Sequence, residues 1–353
     1  MLEIKIKNKK VGDGNPLFFI AEAGVNHNGS LELGKQLIDA AVDAGADAVK
    51  FQTFKAEELN TKTAPKATYH IETTGSDNKE SWFELLKKQE ISEKMHIELI
   101  EYCNKYDIIF LSTPYGEQSA DLLERLNIPA YKVASTDTNN TPLLRYIAAK
   151  GRPMIISTAM CTFLEAEEAI LAIRDVGLKD IAVLQCTGNY PAQLEDSNLR
   201  VMQVFKEKLD CIIGYSDHTP DLINPIAATA LGAKVYEKHF TIDKTLPGPD
   251  HRMSLEPEEL KKTVKAIRNT EKALGSSQKK VLKSEKENRL KLRKSIVATK
   301  MIKKNTIIKK NMVSIKRPGY GIPPSDLYQI IGRKVLFDIP KDTLLKFDMI
   351  SND

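Results

Sequence analysis

A repeated alternation between residues 18 and 241 limits the fold of this chain more than any other feature. Apolar runs at 18–23, 48–52, 108–112, 130–133, 154–157, 181–185, 212–215 and 235–239 are separated by longer amphipathic segments. Short runs rich in Val, Ile and Phe suit strands buried on both faces, as in a parallel sheet. The intervening segments read as helices. Residues 31–44 have Ser30 to cap the start and Gly45 to end it, and 165–176 and 225–231 stop before Gly177 and Gly232. The pieces GADAVK (45–50) and GAKVYE (232–237) share one helix-end-to-strand pattern. Eight such units predict an α/β (β/α)8 TIM barrel, with an open doubly wound sheet as the alternative.

Residues 61–95 read as a polar insertion after the second strand, helical near 82–88. The pattern changes after Gly275. The expected division is a catalytic domain at 1–275, a lysine-rich linker at 276–292 and a small domain at 293–353. The last has β-like pieces at 295–298 and 334–337 around the turn-rich RPGYGIPP (317–324). No run of about 18 apolar residues predicts a membrane span, and MLEIKIKNKK lacks the apolar core of a signal peptide. A cytoplasmic location is therefore expected. Cys103, Cys161, Cys186 and Cys211 are scattered and read as reduced thiols. The net charge of +5 is concentrated in 279–317, where only Glu285 and Glu287 are acidic. Without interleaved aromatics this stretch reads as solvated surface, not as a nucleic-acid site.

In a barrel, chemistry belongs at the carboxyl ends of the strands. The residues there are polar to a degree that packing does not explain. In strand order they are Glu22 with Asn26, His27 and Asn28; Lys50 and Gln52; Ser112 and Thr113; Lys132 and Ser135; Ser157 and Thr158. Thr187, Asn189 and Tyr190 follow, then Ser216, Asp217 and His218, and finally Glu237 and His239. Any one of these has a structural explanation, as a helix cap or a lysine reaching for solvent. Eight strands doing so at one mouth point to a site. Two lysines with several serines supply cations and hydroxyls for a phosphate and a carboxylate. No nucleotide-binding glycine motif is present, so a small phosphate ester is expected. Two histidines on neighbouring strands could hold a divalent metal that keeps most positions open, as a Lewis acid does. Such a nitrogen and oxygen site suits manganese, with magnesium or cobalt as alternatives.

The ordered motifs FFIAEAGVNHNGS, VKFQTF, LSTPY, AYKVAS, ISTAM, CTGNYP, GYSDHT, EKHFT and GPDH resemble the sialic acid synthase family over nearly the whole chain. RPGYGI resembles the antifreeze-like (SAF) domain that ends its members. The resemblance implies condensation of phosphoenolpyruvate with an N-acylated hexosamine to a nine-carbon ulosonic acid. It implies His218 and His239 as metal ligands, and Lys50, Thr113, Lys132, Ser135, Ser157 and Ser216 as the grip on phosphoenolpyruvate. Glu22, Gln52, Tyr190 and Asp250 would face the sugar, with Glu237 near the metal and Glu22 handling protons. Where some relatives carry Asn directly after the CT pair, this chain has Gly188, with Asn189 one position later; a phosphate contact is lost or shifted there. The resemblance also implies a domain-swapped homodimer in which Arg317 completes the partner's sugar site. N-acetylmannosamine is the expected sugar, giving N-acetylneuraminate. A 2,4-diacetamido-6-deoxy sugar giving legionaminate is the alternative, a pseudaminate precursor ranks third, and a 6-phosphorylated sugar also fits. The rival activities are an aldolase or hydrolase on the same barrel, and a sugar-binding protein that has lost catalysis. The absence of an HxH or HExxH metal motif argues against the hydrolase, and the His218, His239 and Glu22 set against the binding protein.

Overall fold

The computed structural model describes residues 2–66 and 81–352, so the 67–80 part of the expected insertion lies outside the described residues. The chain divides into two compact units, 1–275 and 276–353.

The first unit opens with an antiparallel hairpin, β1 (Glu3–Ile6) and β2 (Lys9–Gly12), which the sequence reading did not foresee. Eight parallel strands follow: β3 (Phe18–Gly24), β4 (Ala48–Thr53), β5 (Ile109–Pro114), β6 (Tyr131–Val133), β7 (Met154–Ser157), β8 (Ile181–Cys186), β9 (Ile212–Asp217) and β10 (Val235–His239). Each pairs with the next, and β10 closes on β3, so the sheet is a closed barrel and not an open one. Helices lie between the strands. Leu31–Ala44 is capped by Ser30, and Gly45 ends it at φ 78°, a left-handed turn that glycine adopts without steric cost. The two other expected helices form at Phe163–Arg174 and Ile223–Ala230, each beginning two residues early.

Side chains alternate along each strand, which sorts the barrel into layers. Phe19, Val49, Phe110, Ile156, Val183 and Tyr236 point outward into the layer covered by helices. Ile20, Ala48, Leu111, Ile155, Leu184 and Ile212 point inward, where Ile4, Ile6 and Val11 of the hairpin pack against them. The hairpin thus plugs one end of the barrel with hydrocarbon.

The second unit holds an antiparallel pair, β11 (Ser295–Ala298) and β12 (Val313–Lys316), over a core that includes Ile296, Ile302, Ile330 and Leu345. The strand expected at 334–337 is not one: Lys334 and Val335 make only isolated bridges, to Ile307 and Ile350. Too few neighbours continue in register for a ladder. The lysine-rich 276–292 stretch contains the short helix Lys286–Leu292. No helix among the described residues is long and apolar enough to cross a membrane.

Candidate active site

At the carboxyl end of the same barrel the inward positions change character within two residues. Ile20 gives way to Glu22, Ala48 to Lys50, Leu111 to Thr113, Ile155 to Ser157 and Val235 to Glu237. They line a cavity of about 530 Å³ together with Gln52, Lys132, Ser135, Tyr190, Ser216, His218, His239 and Asp250.

Register brings the charges together. Glu22 stands beside Lys50 on β4 and beside His239 on β10. Lys50 Nζ lies 2.8 Å from Glu22 Oε2 and 3.9 Å from Glu237 Oε2, and it donates to Thr113 Oγ1 at 3.1 Å. Lys132 Nζ donates to Ser157 Oγ at 2.7 Å and lies 3.5 Å from Glu237 Oε1. Glu237 therefore stands between two buried ammonium groups, and Ser216 Oγ donates to it at 3.2 Å. Gln52 Nε2 donates to the other oxygen of Glu22 at 3.2 Å. The strand bulges between Glu22 and Gly24, and Gly24 sits at φ 53°. A Cβ there would come within about 3.4 Å of Glu22, Gln52 and Asp250, so the glycine keeps this corner open.

The carboxylates diverge in acidity. Burial pushes Glu22 up to about 7, with Lys50 opposing it only in part. Burial also pushes Asp250 up to about 6. Burial acts on Glu237 too, but Lys132 and Lys50 outweigh it and hold it below the usual range. Environments that split neighbouring carboxyl groups in this way assign one to proton transfer and another to fixed charge.

His218 and His239 have ring centroids 5.5 Å apart, and the Tyr190 ring lies 4.0 Å from that of His218. His218 Nδ1 is 2.6 Å from the Thr187 carbonyl, which can only accept, so its Nε2 lone pair is free. His239 Nδ1 is buried without a hydrogen bond, its nearest carboxylate oxygen being Asp250 Oδ2 at 3.9 Å. Burial lowers His218 to about 4 and His239 well below the usual imidazole range, so both rings are neutral and able to ligate. No group of three His, Cys, Asp or Glu side chains able to hold a metal occurs among the described residues. A cation at this pair would complete its coordination with water and substrate, and the donor set fits an open Lewis-acid site.

Several expected residues lie elsewhere. Asn189 is exposed and outside the cavity lining, because the chain leaves β8 at Cys186 and it is Gly188 that faces inward. A Cβ on Gly188 would meet Met160 Cγ at 3.1 Å, which leaves little room for an asparagine. Asp217 points outward by alternation, accepting from Lys238 Nζ at 2.7 Å and Tyr236 OH at 2.6 Å. Its other oxygen accepts from Thr219 N at 2.9 Å and so fixes the turn that presents His218. Ser112 contacts Thr53 at 2.7 Å, and Thr158 donates to the Leu184 carbonyl at 2.8 Å. Arg317 is an exposed residue of the second unit. The sequence reading missed Leu59, Asn60, Trp82, Leu86, Gln89 and Cys186. Cys186 was recoverable from strand alternation after Ala182 and Leu184, and Trp82, Leu86 and Gln89 from their i, i+4, i+7 spacing.

A closed (β/α)8 barrel with a cation-rich polar mouth, followed by a small β unit, defines a class of TIM-barrel synthase with an SAF domain. The chain belongs to the NeuB family, whose profile matches residues 37–279, and an SAF domain matches residues 293–351. It is 44% identical to an N,N'-diacetyllegionaminic acid synthase of Campylobacter jejuni, over 93% of this chain and 98% of that one. It is 42% identical to the Legionella pneumophila protein of the same name, over 97% of both chains. The crystal structure of an N-acetylneuraminic acid (sialic acid) synthetase from Leptospira borgpetersenii superposes with a TM-score of 0.72 at 36% identity, covering 81% of this chain and 95% of that one. Its relatives make it an enzyme of ulosonic acid synthesis.

Proposed function

We propose that this chain condenses phosphoenolpyruvate with the open-chain form of an N-acylated hexosamine, yielding a nine-carbon ulosonic acid and phosphate. One observation carries this: two buried lysines converge on Glu237, at 3.9 and 3.5 Å, in the cavity that also holds the His218 and His239 pair. Phosphoenolpyruvate brings two anionic groups to such a mouth. Lys132 with Ser135, Ser157 and Ser216 would take one, and Lys50 with Thr113 the other. Glu22, Gln52, Tyr190 and Asp250 would face the sugar. A divalent ion on His218 and His239, manganese first with magnesium or cobalt as alternatives, would supply Lewis-acid polarisation of the aldehyde oxygen.

The C3 carbon of phosphoenolpyruvate bonds to the aldehyde carbon, and water adds to C2 as cationic character develops there. The C2–O bond to phosphate then breaks. Glu22, poised near neutrality, can carry a proton to the new alkoxide oxygen or take one from the attacking water. Glu237 stays ionised and holds both ammonium groups in place. Positioning two polar substrates together supplies much of the rate. Relatives named for legionaminic and for N-acetylneuraminic acid both support the class of sugar, with N-acetylmannosamine and a 2,4-diacetamido-6-deoxy hexose as the two candidates. The test is phosphate release from phosphoenolpyruvate, with the purified chain and a panel of hexosamines. Release with any N-acylated member, and none without sugar, supports the reaction; release with none overturns it.

We further propose that Arg317 acts in the partner's mouth of a domain-swapped homodimer. Mixing an Arg317→Ala chain with a His218→Ala chain should then restore activity, and inactive mixed dimers would refute it. A cytoplasmic location is proposed from the four free cysteines, and cell fractionation tests it.

A further inference from the structure

A buried ion pair of the barrel lies outside the cavity lining and takes no part in the chemistry above. Asp217 and Lys238 are register partners on the last rung that joins β9 to β10, and each is the residue before a histidine of the mouth. By alternation both point outward, away from the cavity that His218 and His239 line. Both side chains are buried, and they meet at 2.7 Å.

The pair is held from several sides. Asp217 Oδ2 accepts from Tyr236 OH at 2.6 Å as well as from Lys238. Asp217 Oδ1 accepts from Thr219 N at 2.9 Å and from Thr219 Oγ1 at 2.8 Å, on the far side of His218. Asn224 Nδ2, in the first turn of the helix Ile223–Ala230, donates to the same oxygen at 3.3 Å. Lys238 Nζ also donates to the Thr219 carbonyl. One carboxylate thus closes the turn around His218 and is itself tied to the strand that carries His239.

Packing alone does not call for this arrangement. Tyr215, Tyr236 and Ile213 belong to the apolar layer on the same outward face, and apolar side chains replacing a buried ion pair are often as stable or more so. What hydrocarbon lacks is direction, which a carboxylate fully satisfied by surrounding donors supplies. The histidines depend on it. Past Asp217 and Lys238 the β9–β10 ladder ends, so no further rung sets the spacing of the two rings, whose centroids are 5.5 Å apart. His218 is aimed by its 2.6 Å contact with the Thr187 carbonyl, but His239 Nδ1 has no hydrogen-bond partner among the described residues. Its ring is placed by its backbone and its packing.

Resting on the reading that His218 and His239 hold the divalent ion, we infer that Asp217 and Lys238 are positioning residues. Their ion pair clasps the two strand ends from behind and keeps the two ligands at a fixed spacing, without touching ion or substrate.

The experiment titrates manganese into the purified chain without substrates and follows the free ion by electron paramagnetic resonance. His218→Ala, run alongside, identifies the binding that belongs to the site. The test variant combines Asp217→Asn with Lys238→Met, so that no lone charge stays buried and Thr219 N keeps an acceptor. It should bind manganese about ten- to a hundred-fold more weakly than wild type, the scale for a lost partner behind a metal ligand. Phosphoenolpyruvate binding to the metal-free chain, read by calorimetry, should stay level, because Lys50 and Lys132 are untouched. Tyr236→Phe removes one donor to Asp217 and keeps the ring, so its manganese affinity should fall on the order of three-fold; it decides alone if the double variant does not fold. Unchanged manganese affinity in the folded variants overturns the inference. Parallel loss of manganese and phosphoenolpyruvate affinity also overturns it, since that marks general damage to the mouth. If wild type and His218→Ala bind manganese alike, the histidine site itself falls and the clasp with it.

Discussion

The two ends of the barrel are built from the same eight strands, and they do opposite things. At the amino end the inward residues are Ile, Leu, Val, Ala and Phe18, sealed by Ile4, Ile6 and Val11 of the hairpin. One step along the pleat, at the carboxyl end, the inward residues are Lys, Glu, Ser and His, and the space between them is a cavity. Burying Lys50, Lys132, Glu22 and Glu237 costs folding free energy unless each is paired, and even then an apolar set would be at least as stable. The amino end shows that this chain can fill its barrel with hydrocarbon. Its failure to do so at the other end marks the mouth as a site of function.

Substitutions at the two ends should therefore separate activity from stability. The largest effect on turnover is expected from His239→Ala or His218→Ala. Loss of a Lewis acid worth several kcal/mol should lower turnover by on the order of a thousand-fold or more. Chelation should do the same to the wild type, with recovery on adding manganese, and metal analysis should find the variants depleted. Full activity after exhaustive chelation would remove the metal from the account.

Lys132→Ala comes next. One lost charge-assisted contact should raise the KM for phosphoenolpyruvate roughly ten- to a hundred-fold, with little change in the KM for the sugar. An unchanged KM for phosphoenolpyruvate would make the lysine structural.

Glu22→Gln sharpens the comparison through pH. With the Glu22 carboxyl pushed up to about 7, the wild-type rate should show a limb near that pH, and the variant should lose it. Stability carries a second signature. The folded state holds the Glu22 proton more tightly than the unfolded chain, whose value is near 4.5. Its contribution is thus fully present below about 4.5 and lost as pH rises through about 7. The stability of Glu22→Gln relative to wild type should climb by about 3 kcal/mol at most across that window, read from denaturant midpoints at several pH values. A difference that is flat with pH would contradict the assigned shift.

The smallest effect on turnover belongs to the plugged end. Ile6→Ala should cost about 2–5 kcal/mol of stability and leave turnover per folded molecule unchanged. A matching loss of turnover would mean that the two ends are not separable.

Much of this division was legible in the sequence. Buried strands announce themselves by apolar runs, and polar residues that end those runs line the mouth, so Lys50, Lys132, Glu237 and His239 could be placed there without coordinates. Asp217 could not be placed, because which neighbour in Ser216-Asp217-His218 turns inward depends on register, and one step reverses every side chain. Asn189 failed for a related reason: beyond Cys186 the chain leaves the strand, and alternation no longer applies. The hairpin was missed although Ile4 and Ile6 alternate with Glu3 and Lys5, because each of its strands is only four residues long and the second opens on two exposed lysines. The spacing of Trp82, Leu86 and Gln89 marks one helix stripe, but the polar segment before that helix carries no sign that the stripe faces the mouth.

The central claim, that the charged mouth joins phosphoenolpyruvate to an amino sugar by breaking the C2–O bond, can be tested by following one atom. Phosphoenolpyruvate labelled with heavy oxygen in its C2–O–P bridge would be turned over by the wild-type chain with an N-acylated hexosamine, and both products weighed by mass spectrometry. The account predicts that the label leaves with inorganic phosphate, in equal amount to the ulosonic acid formed. Label retained in the sugar acid would mean cleavage at phosphorus and would contradict the mechanism.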